Sequence, residues 1–184
     1  SSGKNGSWLS YALDKGWYLG AIGSEDHHGT TWGAPSLPKT VMIARSNALE
    51  DIKEAMLARR FYAVAQNFND LRVDFRIDNQ PMGARLGRPD GFSLPARYEL
   101  RLGDAAFNGV IEVVTRGNRT VGTYEGSEGS FDLTAVTEEP YYFLRIRNPQ
   151  TGRPVAFSSP IWVEAGAAPK PVCRYEAAGG QNIL

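Results

Sequence analysis

Leu71-Arg72-Val73-Asp74-Phe75-Arg76-Ile77-Asp78 alternates apolar and charged residues without interruption. Successive side chains of a β-strand point to opposite faces, so Leu71, Val73, Phe75 and Ile77 share one face and the charges share the other. Asn79-Gln80-Pro81-Met82-Gly83 then supplies turn residues. The same signature recurs downstream. Tyr98–Leu102, Val110–Thr115 and Arg119–Tyr124 alternate in turn, the last two joined by Arg116-Gly117-Asn118. Ser130–Val136, Tyr141–Arg147 and Val155–Val163 continue the series. About seven short strands with regular turns predict an antiparallel β-sandwich over residues 69–164. Tyr141-Tyr142-Phe143 is expected in its core, with Arg145 and Arg147 solvated.

Upstream of residue 68 the signal is different. Ser7 is placed to cap a helix Trp8–Lys15 that stops at Gly16. The apolar run Trp17–Gly23 reads as a buried strand, and Thr40–Ala44 as another. Asn47 is placed to cap a helix Ala48–Arg60 with Leu49, Ile52, Ala55 and Met56 at helical spacing. Phe61–Ala65 closes the segment as a strand. The order helix, strand, loop, strand, helix, strand suits part of an α/β sheet or barrel and holds too few strands for a whole one. The fold class expected is therefore α+β: a partial α/β segment over 1–68, a β-sandwich over 69–164, and a flexible or docking tail over 165–184.

Composition narrows the function classes. The chain has 184 residues, 20 Lys plus Arg against 20 Asp plus Glu, and no net charge. Bulk electrostatics therefore give no reason to expect nucleic-acid or anionic-membrane partners. No apolar run approaches the roughly 20 residues of a membrane span. Cys173 is the single cysteine, so no intrachain disulfide forms; this is compatible with the cytoplasm.

The chemistry-bearing stretch is Gly23-Ser24-Glu25-Asp26-His27-His28-Gly29, which holds both histidines of the chain and two carboxylates. Imidazole and carboxylate ligate zinc, manganese and iron. In an extended segment Asp26 and His28, at i and i+2, point the same way and can converge on one ion. The same composition also suits a polar loop whose histidines hydrogen-bond locally. A catalytic metal commonly has at least three protein ligands plus water, and only His27 remains to supplement the pair.

Trp8, Ala12-Leu13-Asp14-Lys15-Gly16-Trp17, Gly23, Asp26-His27-His28-Gly29, Trp32-Gly33, Ile52–Ala63 and Leu71–Gly83 occur in one order and spacing. In this ordered set, residues 8–66 resemble the end of a PHP (polymerase and histidinol phosphatase) metallohydrolase domain, in its carbaryl-hydrolase-like bacterial branch, and the match runs on into the start of the β-domain, covering roughly the first 85 residues. The resemblance implies a metal-dependent hydrolase in which a divalent ion (zinc, manganese or iron) activates water against a phosphoester, ester or carbamate of a small-molecule substrate. It assigns Asp26 and His28 as metal ligands. His27 would face the substrate or stand behind the ligands; Trp32 would line the substrate pocket at its rim or else pack in the core; Glu25 would orient a ligand or else be a plain solvated carboxylate. The family's other ligand motifs are absent, so the site is expected to be incomplete, and the chain to be a C-terminal fragment, inactive alone, whose partner is the N-terminal PHP barrel portion. The alternative from a different class is a non-catalytic β-sandwich interaction module with a remnant N-terminal segment.

A partial barrel would leave apolar strand faces such as Trp17, Leu19, Ile22, Val41 and Ile43 uncovered. The chain is predicted to self-associate, and light scattering should return a mass above the monomer; a monomer in dilute solution would count against this.

Overall fold

The computed structural model describes residues 5–34 and 37–165. They form mostly antiparallel β-sheet with two short α-helices, α1 (Asn5–Asp14) and α2 (Leu49–Leu57). Apart from Ala165, the expected tail lies outside the described residues, as does Cys173.

The first sheet is built on a hairpin. Strand β11 (Tyr141–Arg147) turns back into β12 (Pro154–Ser158) and β13 (Ile161–Ala165), both of which pair with it antiparallel. The other edge of β11 carries β8 (Gly109–Thr115), followed by β9 (Arg119–Gly126). Beyond β12 lie β2 (Phe61–Val64) and then β1 (Lys39–Met42), again antiparallel. Beyond β13 lies β5 (Arg85–Arg88), in parallel. The second sheet has β3 (Leu71–Ile77) and β6 (Ser93–Leu102) at its centre, with β10 (Glu128–Thr134) on one edge. Two short bridges, β4 (Gln80–Pro81) and β7 (Ala105–Ala106), complete it.

Alternation explains the second sheet. Leu71, Val73, Phe75 and Ile77 of β3 and Leu94, Tyr98 and Leu100 of β6 are buried in one cluster with Ile111, Val113, Tyr142, Leu144 and Ile146 of the first sheet. Each such side chain contributes roughly 1.5–3 kcal/mol by leaving water. The outer face carries charges in rows: Arg72 opposite Arg101, Asp74 opposite Glu99, Glu99 opposite Glu128, and Arg76 opposite Arg97.

Strand β11 does not alternate, because it is covered on both faces. Tyr142, Leu144 and Ile146 enter the main core, whereas Tyr141 and Phe143 join Leu13, Val114 and Trp162 in a second cluster under α1. Asp14 at the end of α1 accepts the Tyr141 hydroxyl at 2.6 Å and the Gly117 N–H at 3.0 Å. Burial, followed by that carboxylate bond, pushes the Tyr141 hydroxyl well above its ordinary value. The core position expected for Tyr141-Tyr142-Phe143 is therefore found. Arg145 and Arg147 are not free in solvent as expected. Both pair with Glu112 across the β11–β8 ladder, and the Arg145 side chain is only 11% exposed.

The first third also departs from expectation. Trp17–Gly23 joins no ladder. Side-chain hydroxyls hold it: the Tyr18 hydroxyl donates to Glu164 at 2.6 Å, the Ala21 N–H donates to Ser159 Oγ at 3.2 Å, and the Gly23 N–H donates to Thr40 Oγ1 at 3.0 Å. Thr40 Oγ1 in turn donates to the Gly23 carbonyl at 2.8 Å. Trp17 and Ile22 are exposed rather than buried. Helix α1 begins at Asn5, before the expected cap at Ser7. Helix α2 starts after Ala48 and ends at Leu57, short of Arg60, and buries only Ala55; Leu49 and Met56 of its expected inward face are exposed.

Gly83, at φ 90°, links β4 to β5. Its N–H donates to the Pro160 carbonyl at 2.8 Å, and a β-carbon there would lie 2.0 Å from the Ala58 carbonyl oxygen. Gly83→Ala combines left-handed strain with a backbone clash and should cost about 3 kcal/mol or more, read as a lower urea midpoint.

Candidate metal-binding loop

Residues 24–34 leave the segment 17–23 and return to β1. The loop's base is closed by the paired Gly23–Thr40 bonds. Gly23 also has to be glycine, since a β-carbon would sit 2.2 Å from the Lys39 carbonyl oxygen. The bends within the loop follow from its composition: Asp26 adopts φ 47° and Gly33 φ 77°, conformations that Asp tolerates and Gly favours.

Glu25 is a pin. Its carboxylate pairs with the Lys39 ammonium and accepts the Gly33 N–H at 3.2 Å to each oxygen. Lys39 also donates to the Ala34 carbonyl at 2.9 Å. The Lys39 bond, then the Gly33 bond, hold the Glu25 carboxyl below its ordinary value. A carboxylate so engaged fastens both ends of the loop to β1.

His27 and Trp32 are likewise turned inward to the loop. His27 Nε2 lies 3.0 Å from Thr31 Oγ1, and the Trp32 indole N–H donates to the His27 carbonyl at 3.0 Å. The imidazole lies over Gly29, where a β-carbon would come within 2.7 Å of its Nε2. The indole ring itself is 73% exposed.

Glu25 is tied to Lys39 and Gly33 and the His27 ring to Thr31, whereas among the described residues Asp26 and His28 meet only each other. Asp26 Oδ1 and His28 Nε2 are 3.3 Å apart, and both side chains are about nine-tenths exposed (93% and 89%). They line an open depression of about 460 Å³, with Glu25, His27, Trp32 and Lys39 around them. Two donors bound to one ion at about 2.0–2.2 Å sit roughly 3.0–3.5 Å apart when they occupy neighbouring positions, so the pair fits two adjacent coordination positions. Among the described residues no group of three or more His, Cys, Asp or Glu side chains could hold a metal. The loop therefore fits part of a coordination sphere and does not complete one.

The sequence reading missed Lys39, Thr40 and Thr31. Lys39 and Glu25 are 14 positions apart, and no periodicity links them. Only the neighbouring Thr40 gives a local signal, as a hydroxyl placed at the start of a strand.

Because the Glu25 carboxyl is lowered in the fold, its contribution to loop order is present above its ordinary titration range and is lost as pH falls through the lowered value. Lys39→Met should return the Glu25 carboxyl toward its ordinary value and shift loop loosening to higher pH. NMR titration of the Glu25 carboxyl carbon and the Trp32 indole N–H checks both; unchanged curves in the variant would remove Lys39 as the cause.

No protein-family model matches the chain. An uncharacterized protein of Chlamydia pneumoniae is 26% identical over 141 residues, a match covering 68% of this chain. The chain spans 22% of that relative's length. No solved structure matches. Among the described residues, no helix is long and apolar enough to cross a membrane.

Proposed function

We propose that the chain is the C-terminal part of a metal-dependent hydrolase of PHP type, with Asp26 and His28 supplying two ligands of a divalent ion. The observation that carries this reading is the spacing of those two donors, 3.3 Å, in an open depression on a loop fastened by Glu25 and Lys39. When bound, the ion supplies an activated water for attack on a phosphoester, ester or carbamate. The chain's own residues do the rest: Glu25 and Lys39 fix the loop, His27 and Trp32 set its curvature, and Asp26 and His28 present their donors to solvent. On this reading residues 1–68 end the α/β metallohydrolase domain, with β1 and β2 joined antiparallel to the first sheet through β12, and residues 69–164 form a β-sandwich of about seven main strands. The remaining ligands come from outside the described residues, from the N-terminal PHP barrel portion, and zinc, manganese and iron all suit the donor set.

A second reading, a non-catalytic β-sandwich interaction module, is favoured by one observation. Of the twelve exposed large hydrophobic side chains among the described residues, ten lie between Trp8 and Leu57. Such a concentration marks a surface that another body covers.

The two readings separate in the intact polypeptide. Under the first, Asp26→Ala and His28→Ala each abolish hydrolysis of p-nitrophenyl phosphate or p-nitrophenyl acetate and lower bound metal about tenfold or more, measured by elemental analysis, while circular dichroism is unchanged. Full activity and full metal content in either variant would remove the ligand assignment.

A further inference from the structure

A second cavity, of about 610 Å³, lies beyond Gly23, Ser24 and Pro38, which it shares with the loop depression. Its lining comes from five separate stretches: Leu9 of α1, residues 20–24, Pro38, residues 63–66 at the end of β2, and residues 153–155 and 157 of β12 and the turn before it. Most of that lining is apolar, including Leu9, Ile22, Ala63, Val155 and Phe157. Volumes of this order hold small ligands in other proteins.

The wall formed by residues 20–23 is fixed in advance. A β-carbon on Gly20 would lie 2.4 Å from Ser159 Oγ, and one on Gly23 would lie 2.2 Å from the Lys39 carbonyl oxygen, so both glycines are pressed against the sheet. Between them the Ala21 N–H is bonded to Ser159 Oγ. A cavity with a wall already held pays little ordering cost when a ligand enters.

Its charge is one-sided. Arg153 is the single charged residue lining it. The nearby Arg145 and Arg147 share Glu112. The Arg153 guanidinium has no carboxylate partner among the described residues. An apolar chamber with one uncompensated guanidinium at its edge matches a ligand with an apolar body and a carboxylate head, which arginine can engage through two parallel N–H bonds.

We propose that this cavity binds a small apolar monocarboxylate, with its hydrocarbon part against Ala63, Val155 and Phe157 and its carboxylate on Arg153. Binding there needs neither a metal nor the Asp26–His28 pair, so the site stands or falls separately from the hydrolase reading.

The test is a titration of the isotope-labelled chain with sodium octanoate and, separately, 1-octanol, followed by amide and indole NMR shifts. Octanoate should give saturable shifts at Ala21, Ala63, Gln66 and Val155, with a dissociation constant below about 1 mM. Arg153→Gln, at an exposed position, should weaken octanoate about five- to tenfold and leave octanol unchanged. Ala63→Phe, which fills the chamber, should remove binding of both, with the Trp162 indole signal reporting an intact fold. The proposal is overturned if octanoate gives no saturable shifts, if the shifts gather on the exposed Trp8, Trp17 and Trp32 indoles, or if Arg153→Gln weakens both ligands equally.

Discussion

The fold turns on the two residues between β12 and β13. Pro160 has no N–H to give to a ladder, so the long return strand opposite β11 is interrupted there. At that interruption the strand's outer neighbour changes from β2, antiparallel, to β5, parallel. The groups that would otherwise go unpaired are taken up one by one. Ser158 Oγ accepts the Leu144 N–H at 2.8 Å, and the Pro160 carbonyl accepts the Gly83 N–H at 2.8 Å. Ser159 Oγ donates to the Phe61 carbonyl at 2.6 Å and accepts the Ala21 N–H at 3.2 Å. Both serines are fully buried, where an unmade hydrogen bond costs about 1–3 kcal/mol. One break thereby gathers β2, β5, β11 and the segment before the loop around a single point.

The candidate site inherits its position from that point. Ser159 holds Ala21, Ala21 precedes Gly23, and Gly23 is locked to Thr40 before the loop departs. Glu25 and Lys39 repeat the closure one step further out. By the time the chain reaches Asp26 and His28, its path has been fixed twice, and those two side chains stand about nine-tenths exposed. The loop is held by hydroxyls and an ion pair, not by a strand.

Legibility in the sequence followed the range of the interaction. Strands β3, β8, β9 and β11 lie where alternation or a buried apolar run placed them, because each strand's own pattern records which faces are covered; β6 begins at Ser93, five residues before the expected Tyr98, and the run Val155–Val163 breaks at Ser159-Pro160 into two strands. Trp17–Gly23 has the same apolar look and is no strand, since its partners are Ser159, Thr40 and Glu164, side chains far away in sequence. The apparent solvation of Arg145 and Arg147 failed for the same reason: Glu112 is more than 30 positions away. Asp26 and His28 lie 3.3 Å apart, yet Asp26 is at φ 47° and the segment is not the extended one that their i, i+2 spacing assumed; the pinning of Glu25 and the second cavity were not readable either, being assembled from stretches that carry no common period. In α2 the apolar spacing was real, yet Leu49 and Met56 face outward, because spacing marks a face without saying what covers it.

The charge rows on the outer face of the second sheet have a consequence for how the chain finds its register. Like charges stand directly opposite one another there, an unfavourable arrangement. If β3 slipped by two residues against β6, Arg72 would face Glu99 and Asp74 would face Arg97, while Leu71, Val73, Phe75 and Ile77 would still meet apolar partners at Leu100, Tyr98, Ala96 and Leu94. Neither hydrophobicity nor pairwise charge rejects that alternative. The correct alignment is chosen at the strand ends, by the Tyr62 hydroxyl on the Leu71 carbonyl at 2.8 Å, the Gly103 N–H on the Asp70 carbonyl at 3.1 Å and the Asp78 N–H on the Pro95 carbonyl at 2.8 Å. A nascent chain that zips this sheet before those ends are set meets a near-degenerate competitor, a kinetic trap that low ionic strength deepens and dissolved salt makes shallower.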